Sequence, residues 1–364
     1  MIQTRLHATA LASALSMALS ALGCTKSEPP VVIMISPEGA AAASPLVVEA
    51  PAAPPAAPLP VASASSEGQA ATAGASTAPV ATASAPRVAG SAKPNPKPRS
   101  ISVEGRPFLV DDVARVASLG NGSGWHDVVD FTEGAMTTSS QRAALIDHFT
   151  QWSLAEHASI ASFARFGLQL LGLGAPSHLL AQTTAAMQDE IRHARFGFGV
   201  LASLGSATGP QALAVDGALD GEPSLDRVLR LCVREGMIGE TLAALELMAS
   251  ADLTSLPRFK ERLTSIAADE ARHAQLAYAF AAWAVQRDPS LMDVIDEEIA
   301  AWQCGSAPTA EGLELWGIIG AADRRAIQRD GFEWVVRPLV EQLGATVAGA
   351  RTATSLPTPA ASLA

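Results

Sequence analysis

The chain has 364 residues, with 25 Lys+Arg against 36 Asp+Glu and only three Cys, which excludes a polycation and a disulfide scaffold. Hydrophobic residues make up 48% but aromatics only 5%, and much of the apolar count is alanine, which raises hydropathy without building much core. Residues 101–364 carry 19 Lys+Arg against 32 Asp+Glu, so neither nucleic acid nor an anionic membrane surface is an expected partner.

Residues 1–23 read as a secretory signal: Arg5 is followed by an uncharged run of small and apolar residues from Leu6 to Gly23. The stretch Ala21-Leu22-Gly23-Cys24 resembles the lipobox of bacterial lipoproteins, although Ala21 stands where that pattern usually has Leu. The resemblance implies acylation of Cys24, a lipid anchor in a membrane, and a place in the cell envelope, at the outer membrane or in the periplasm. The other reading is an ordinary cleaved signal with an incidental cysteine. No later stretch reaches 18 uncharged apolar residues, so no further span is expected.

Residues 24–100 form an Ala/Pro/Ser-rich segment. Residues 25–100 hold 14 of the 24 prolines, and no aromatic precedes Phe108, so helices and ladders are forbidden and too little apolar surface exists to offset ordering. A disordered tether is expected, with Val31-Val32-Ile33-Met34-Ile35 as an extended apolar patch in it. Residues 101–140 read as an irregular lead-in. From about 141 the chain turns Ala/Leu/Glu/Arg-rich with helical spacing, which predicts helices at 141–171, 177–204, 224–251 and 257–287. Short breaks make the first two and the last two antiparallel hairpins, and 205–223 leaves room for a crossover. Shorter accessory helices, in which no chemistry is recognisable, are expected over 288–350, and a disordered tail over 351–364.

Two of these helices carry a near repeat 80 residues apart, Asp189-Glu190-Ile191-Arg192-His193-Ala194 and Asp269-Glu270-Ala271-Arg272-His273-Ala274. In each, Glu and His are three apart, on one helical face, inside an otherwise apolar or small stripe. The first helix has the same pattern around Glu156 (Phe149, Trp152, Ile160, Phe163), and the third around Glu240 (Val233, Gly236, Ala243, Leu247). Unpaired ionised carboxylates in a core cost several kcal/mol each, so these insertions need compensation. Glu156 and Glu190 straddle their turn nearly symmetrically, as do Glu240 and Glu270, which puts four carboxylates and two imidazoles at comparable heights. Such hard or borderline donors, with carboxylates able to bridge, suit two divalent ions, iron or manganese.

Residues 141–287 resemble the ferritin-like superfamily of di-iron and di-manganese carboxylate proteins. The resemblance lies in Glu156-His157-Ala158-Ser159, Asp189–His193, Gly239-Glu240-Thr241 and Asp269–His273, and points to an uncharacterised bacterial branch. It implies a ferritin-like four-helix bundle with extra C-terminal helices. The implied ligands are Glu156, Glu190, His193, Glu240, Glu270 and His273, around two iron ions, or manganese, or one of each. Asp189 and Asp269 are candidates to orient a ligand histidine on the opposite helix, or else to pair with Arg192 and Arg272. Glu235 rivals Glu240. The two are five apart and point to different faces, so only one fits, and Glu240 lies nearer the level of Glu270.

Other candidates have plainer readings: His157 at a helix surface or in packing, Tyr278 in core packing or as a redox-active phenol, Cys232 and Cys304 as buried thiol or disulfide partners. His126, His148 and His178 have no spacing partner. Gly167, Gly197, Gly236 and Gly239 either open a pocket or permit close helix packing. The function expected from the resemblance is oxidoreduction with dioxygen or peroxide, either ferroxidase- or peroxidase-like or oxygenase-like. The alternative is a non-enzymatic metal-binding or scaffold lipoprotein of the envelope.

Overall fold

The computed structural model describes residues 2–23, 106–121, 124–129, 137–221, 223–305 and 312–354, all within a unit formed by residues 1–35 and 98–364. The expected tether at 24–100, with Cys24 and the apolar patch, lies outside the described residues, as does 355–364.

The fold is all-α. Its helices are α1 (Ile2–Gly23), α2 (Ser139–Gly172), α3 (Ser177–Ser203), α4 (Leu225–Leu231), α5 (Thr241–Leu253), α6 (Pro257–Arg287), α7 (Leu291–Ala301), α8 (Ala321–Gly331) and α9 (Arg337–Thr354). A π-helical stretch, Cys232–Glu240, fuses α4 and α5 into one rod, and a second, Phe332–Val336, fuses α8 and α9. Local chemistry sets the ends of the long rods. Thr138 and Gln141 form a reciprocal capping box at the start of α2. Gly174, at φ 64°, closes α2 with the paired bonds Gly174 N–H to Leu171 O and Ala175 N–H to Leu170 O. Pro257 opens α6, where its missing N–H costs nothing. The last helix continues to Thr354, past the expected start of the tail.

The lead-in is more ordered than its composition predicts. Strands β1 (Leu109–Val110) and β2 (Val113–Ala114) pair across Asp111-Asp112, both at positive φ, 51° and 61°, which the short polar side chain of aspartate tolerates in a tight hairpin. Strands β3 (Leu119–Gly120) and β4 (Gly209–Pro210) tie the lead-in to the connection after α3.

α2 packs on α3, α5 and its π stretch pack on α6, and α3 packs on α6. Their apolar stripes form two clusters. One holds Phe163, Phe166, Val233, Leu276 and Phe280; the other holds Phe149, Trp152, Phe196, Leu247, Phe259 and Leu263. On α2, α3 and α6 the acids Glu156, Glu190 and Glu270 fall in sequence between these clusters, while Glu240 lies within the first cluster's run on the third rod. α1, expected as a secretory signal, is a helix whose Leu11, Leu15 and Leu19, one turn apart, are buried against the first cluster. His7 pairs with Asp252 at 3.2 Å, and Ser16 Oγ donates to Gln342 Oε1 at 2.7 Å. Among the described residues no helix is long and apolar enough to cross a membrane.

Candidate metal centre

Glu156, Glu190, His193, Glu240, Glu270 and His273 are each at most 1% exposed. Two groups form, Glu156–Glu190–His193–Glu270 and Glu190–Glu240–Glu270–His273, each offering ligand atoms within 4.8 Å of one another. Glu190 and Glu270 belong to both. The structure therefore brings together all six residues of the expected set, with the two glutamates of the repeated segments in the shared position.

Both imidazoles turn Nδ1 toward the carboxylates. His193 Nδ1 lies 3.3 Å from Glu270 Oε1 and 3.7 Å from Glu156 Oε2; His273 Nδ1 lies 3.0 Å from Glu270 Oε2 and 3.1 Å from Glu190 Oε1. Both turn Nε2 outward to the aspartate of the opposite helix, His193 to Asp269 Oδ2 at 3.0 Å and His273 to Asp189 Oδ2 at 3.3 Å. The other oxygen of each aspartate takes the arginine three residues on, Asp189 Oδ1 with Arg192 and Asp269 Oδ1 with Arg272. The two readings of these aspartates are thus both realised, because a carboxylate has two oxygens. An Nε2–H held by carboxylate leaves the Nδ1 lone pair free for a metal.

The charges are set by the neighbours. Burial pushes the carboxyl of Glu156 well above the usual range, helped by Glu190, and pushes Glu240 up likewise, helped by Glu270. Burial acts the same way on Glu190 and Glu270, but the two histidines outweigh it and hold both below the usual range. Burial lowers His193 and His273; hydrogen bonds and charge from the surrounding carboxylates outweigh it and raise both well above the ordinary imidazole range. Without metal these shifts favour protons on the two histidines, Glu156 and Glu240 and charge on Glu190 and Glu270, so opposite charges offset one another in the centre.

That balance leaves donors and acceptors unmatched. Both oxygens of Glu156, Glu190 and Glu240, Oε1 of Glu270 and Nδ1 of His193 are buried with no hydrogen bond of acceptable geometry among the described residues. Buried acceptors are rarely orphaned, and so many in one place mark a missing partner. The donor set, oxygens and imidazole nitrogens with no thiolate, fits iron or manganese. No protein family, no curated protein and no solved structure matches this chain.

Glu235 is no rival. It is as buried as Glu240, but it pairs with Arg165 and Arg106, the nearer contacts being Arg165 Nη2 to Oε1 at 2.5 Å and Ser162 Oγ to Oε2 at 2.8 Å. The expectation that the two acids point to different faces assumed an α-helix. In the π-helical stretch hydrogen bonds run i→i+5, so residues five apart come nearly one above the other, and both acids face inward.

The remaining candidates lie outside these two groups. His157 packs edge-on to Trp125 at 4.9 Å, with burial lowering its imidazole. Tyr278 is a buried phenol that desolvation pushes up. Cys232 and Cys304 are free thiols, and burial pushes Cys232 up to about 12. His126 Nε2 meets Thr208 O at 2.7 Å, and His178 is exposed. Gly197 opens no pocket: a Cβ there would fall 2.8 Å from the Trp152 ring, so this glycine lets α2 and α3 close.

A second buried polar group was not legible from spacing. Glu246 on α5 accepts from Arg324 Nη2 at 2.7 Å and from Gln328 Nε2 at 2.8 Å, both on α8. The only signal in the sequence was Arg324 and Gln328 at i,i+4 on one face of a short helix, which is common on surfaces. The accessory segment therefore carries buried charge.

Proposed function

We propose that this protein is a ferritin-like metalloprotein with a dinuclear iron centre, manganese being the alternative metal, that acts as an oxidoreductase on dioxygen or peroxide. The observation that carries this reading is the sharing of Glu190 and Glu270 between two four-residue groups in a dry core lined by orphaned oxygens. Glu156 and His193 would complete one position, Glu240 and His273 the other, with Glu190 and Glu270 between them. A bound metal pair supplies electron exchange with dioxygen or peroxide. The chain contributes the rest. Asp269 and Asp189 fix the tautomer and rotation of the two histidines, the apolar clusters exclude water, and Glu156 and Glu240, whose carboxyls burial pushes up, release protons as cations enter.

The same proposal places the protein in the cell envelope, with residues 1–23 as export signal and Cys24 as lipid anchor. Its support is the residue pattern; removal of α1 would uncover the apolar face that Leu11, Leu15 and Leu19 now cover.

The test is to load the protein with ferrous iron anaerobically, admit oxygen or peroxide, and follow near-ultraviolet absorbance. Two irons per chain and their oxidation support the reading. Binding without oxidation leaves a metal-braced scaffold, and failure to bind two metals removes the centre.

A further inference from the structure

One cavity of about 40 Å³ lies at the end of the second apolar cluster. Its walls include Trp152 of α2, Leu247 of α5, Leu263 of α6 and Trp316 of the segment before α8. Trp152 is one helical turn from Glu156, and Leu247 and Leu263 are two turns from Glu240 and Glu270, so the cavity sits beside the carboxylate cluster along the helix axes. A cavity needs about 10–15 Å³ of such volume to hold one water, so this one takes two or three heavy atoms.

Its polar groups are specific. Trp152 and Trp316 are at most 5% exposed, and the indole Nε1–H of each lacks an acceptor among the described residues. Two buried donors without acceptors, lining one cavity, call for an occupant with two acceptor atoms. The same walls carry acceptors. Glu246 presents a carboxylate whose charge Arg324 already balances, and burial, with Arg324 nearby, lowers the His148 imidazole to about 4, so at neutral pH one ring nitrogen accepts. With Glu246 and Arg324 balancing one another the walls hold no surplus positive charge for an anion, and dioxygen has no proton to donate. The occupant that matches is neutral, two or three heavy atoms long, and both donor and acceptor at two atoms.

We propose that this cavity binds hydrogen peroxide, its two oxygens accepting from the Trp152 and Trp316 indoles and its two O–H groups donating to Glu246 and His148. It would hold the oxidant one to two turns from the carboxylate cluster. The assignment rests on the peroxide reading above, but binding here needs no metal, so the two can fail separately.

The experiment uses metal-free protein with nitrogen-15 in its tryptophans. Hydrogen peroxide is titrated while the indole N–H resonances of the six tryptophans are followed by NMR. Two resonances should shift together and saturably, and Trp316→Phe should remove one of them; Trp152→Phe, which keeps a ring against Gly197, should remove the other. Acetate should leave both in place. No saturable shift, a shift of all six, or the same shift with acetate would overturn the proposal, the last marking an anion pocket instead. The wild-type titration decides even if a variant does not fold. If iron-loaded protein fails to consume peroxide while the two resonances still saturate, the cavity assignment stands and the oxidoreductase reading falls.

Discussion

His193 of α3 and Asp269 of α6 meet across the helix interface, Nε2 to Oδ2 at 3.0 Å, and His273 and Asp189 repeat the contact in the opposite sense. Removing one carboxylate frees one ring to rotate and should weaken one metal position more than the other. Asp269→Asn should lower affinity for the first-lost ion about 10–100-fold, the usual cost of such an outer partner. Asp189→Asn should do the same, and competitive chelator titration would show both. Equal affinity in both variants and wild type would mean that the aspartates serve only Arg192 and Arg272.

Glu190 and Glu270 belong to both groups, so their joint loss should abolish both positions at once. Glu190→Ala with Glu270→Ala is expected to reduce bound metal to near zero while far-ultraviolet circular dichroism keeps its helical form. Retained stoichiometry by elemental analysis would refute the ligand assignment.

The pH dependence has a definite sign. His193 and His273 are raised in the fold, so their contribution to metal-free stability is present below the ordinary histidine pKa of about 6.5 and is lost as pH rises through the folded values. Glu156 and Glu240, also raised, act in the same direction. Glu190 and Glu270, lowered, contribute above the ordinary glutamate value and fail only in acid. Metal-free protein should therefore lose Tm as pH rises from about 6.5 toward alkaline values, while metal affinity climbs over the same range because binding must expel those protons. Calorimetry in buffers of different ionisation enthalpy should show net proton release; uptake would contradict the charge assignment.

Glu235 balances Arg106 and Arg165 inside the bundle. Glu235→Gln leaves two buried guanidinium groups without a countercharge and should cost about 3–5 kcal/mol in denaturant unfolding. Metal content of the folded fraction should stay at the wild-type level. A loss of metal without a loss of stability would return Glu235 to the ligand set.

Processing at the N-terminus is equally measurable. Mass spectrometry of protein from membranes should find Cys24 as the acylated first residue. A chain that retains residues 1–23 would make α1 a permanent part of the fold, and its Leu11→Asp and Leu15→Asp variants should then lose stability.

Much of this was readable from the residues because it depends on short-range repetition. The four long rods end within two residues of where caps and breaks place them, and the six buried acids and imidazoles announce themselves by interrupting apolar stripes at matched heights. What escaped depends on partners far away in sequence. Arg106 reaches Glu235 from a lead-in with little regular pattern, and Glu246 finds Arg324 across 78 positions of chain. The π-helical turn was hidden for another reason. Gly236 and Gly239 weaken an α-helix there without specifying a π-helix, and no residue pattern in Cys232–Glu240 announces the wider winding.

That wide turn gears two buried charge systems together. The backbone that delivers Glu240 to the carboxylates also delivers Glu235 to Arg165, so deleting a single residue between them would tighten the winding and swing one acid about 100° away from its partners. The stretch from Cys232 to Glu240 is thus the part of the molecule least able to absorb a change in length.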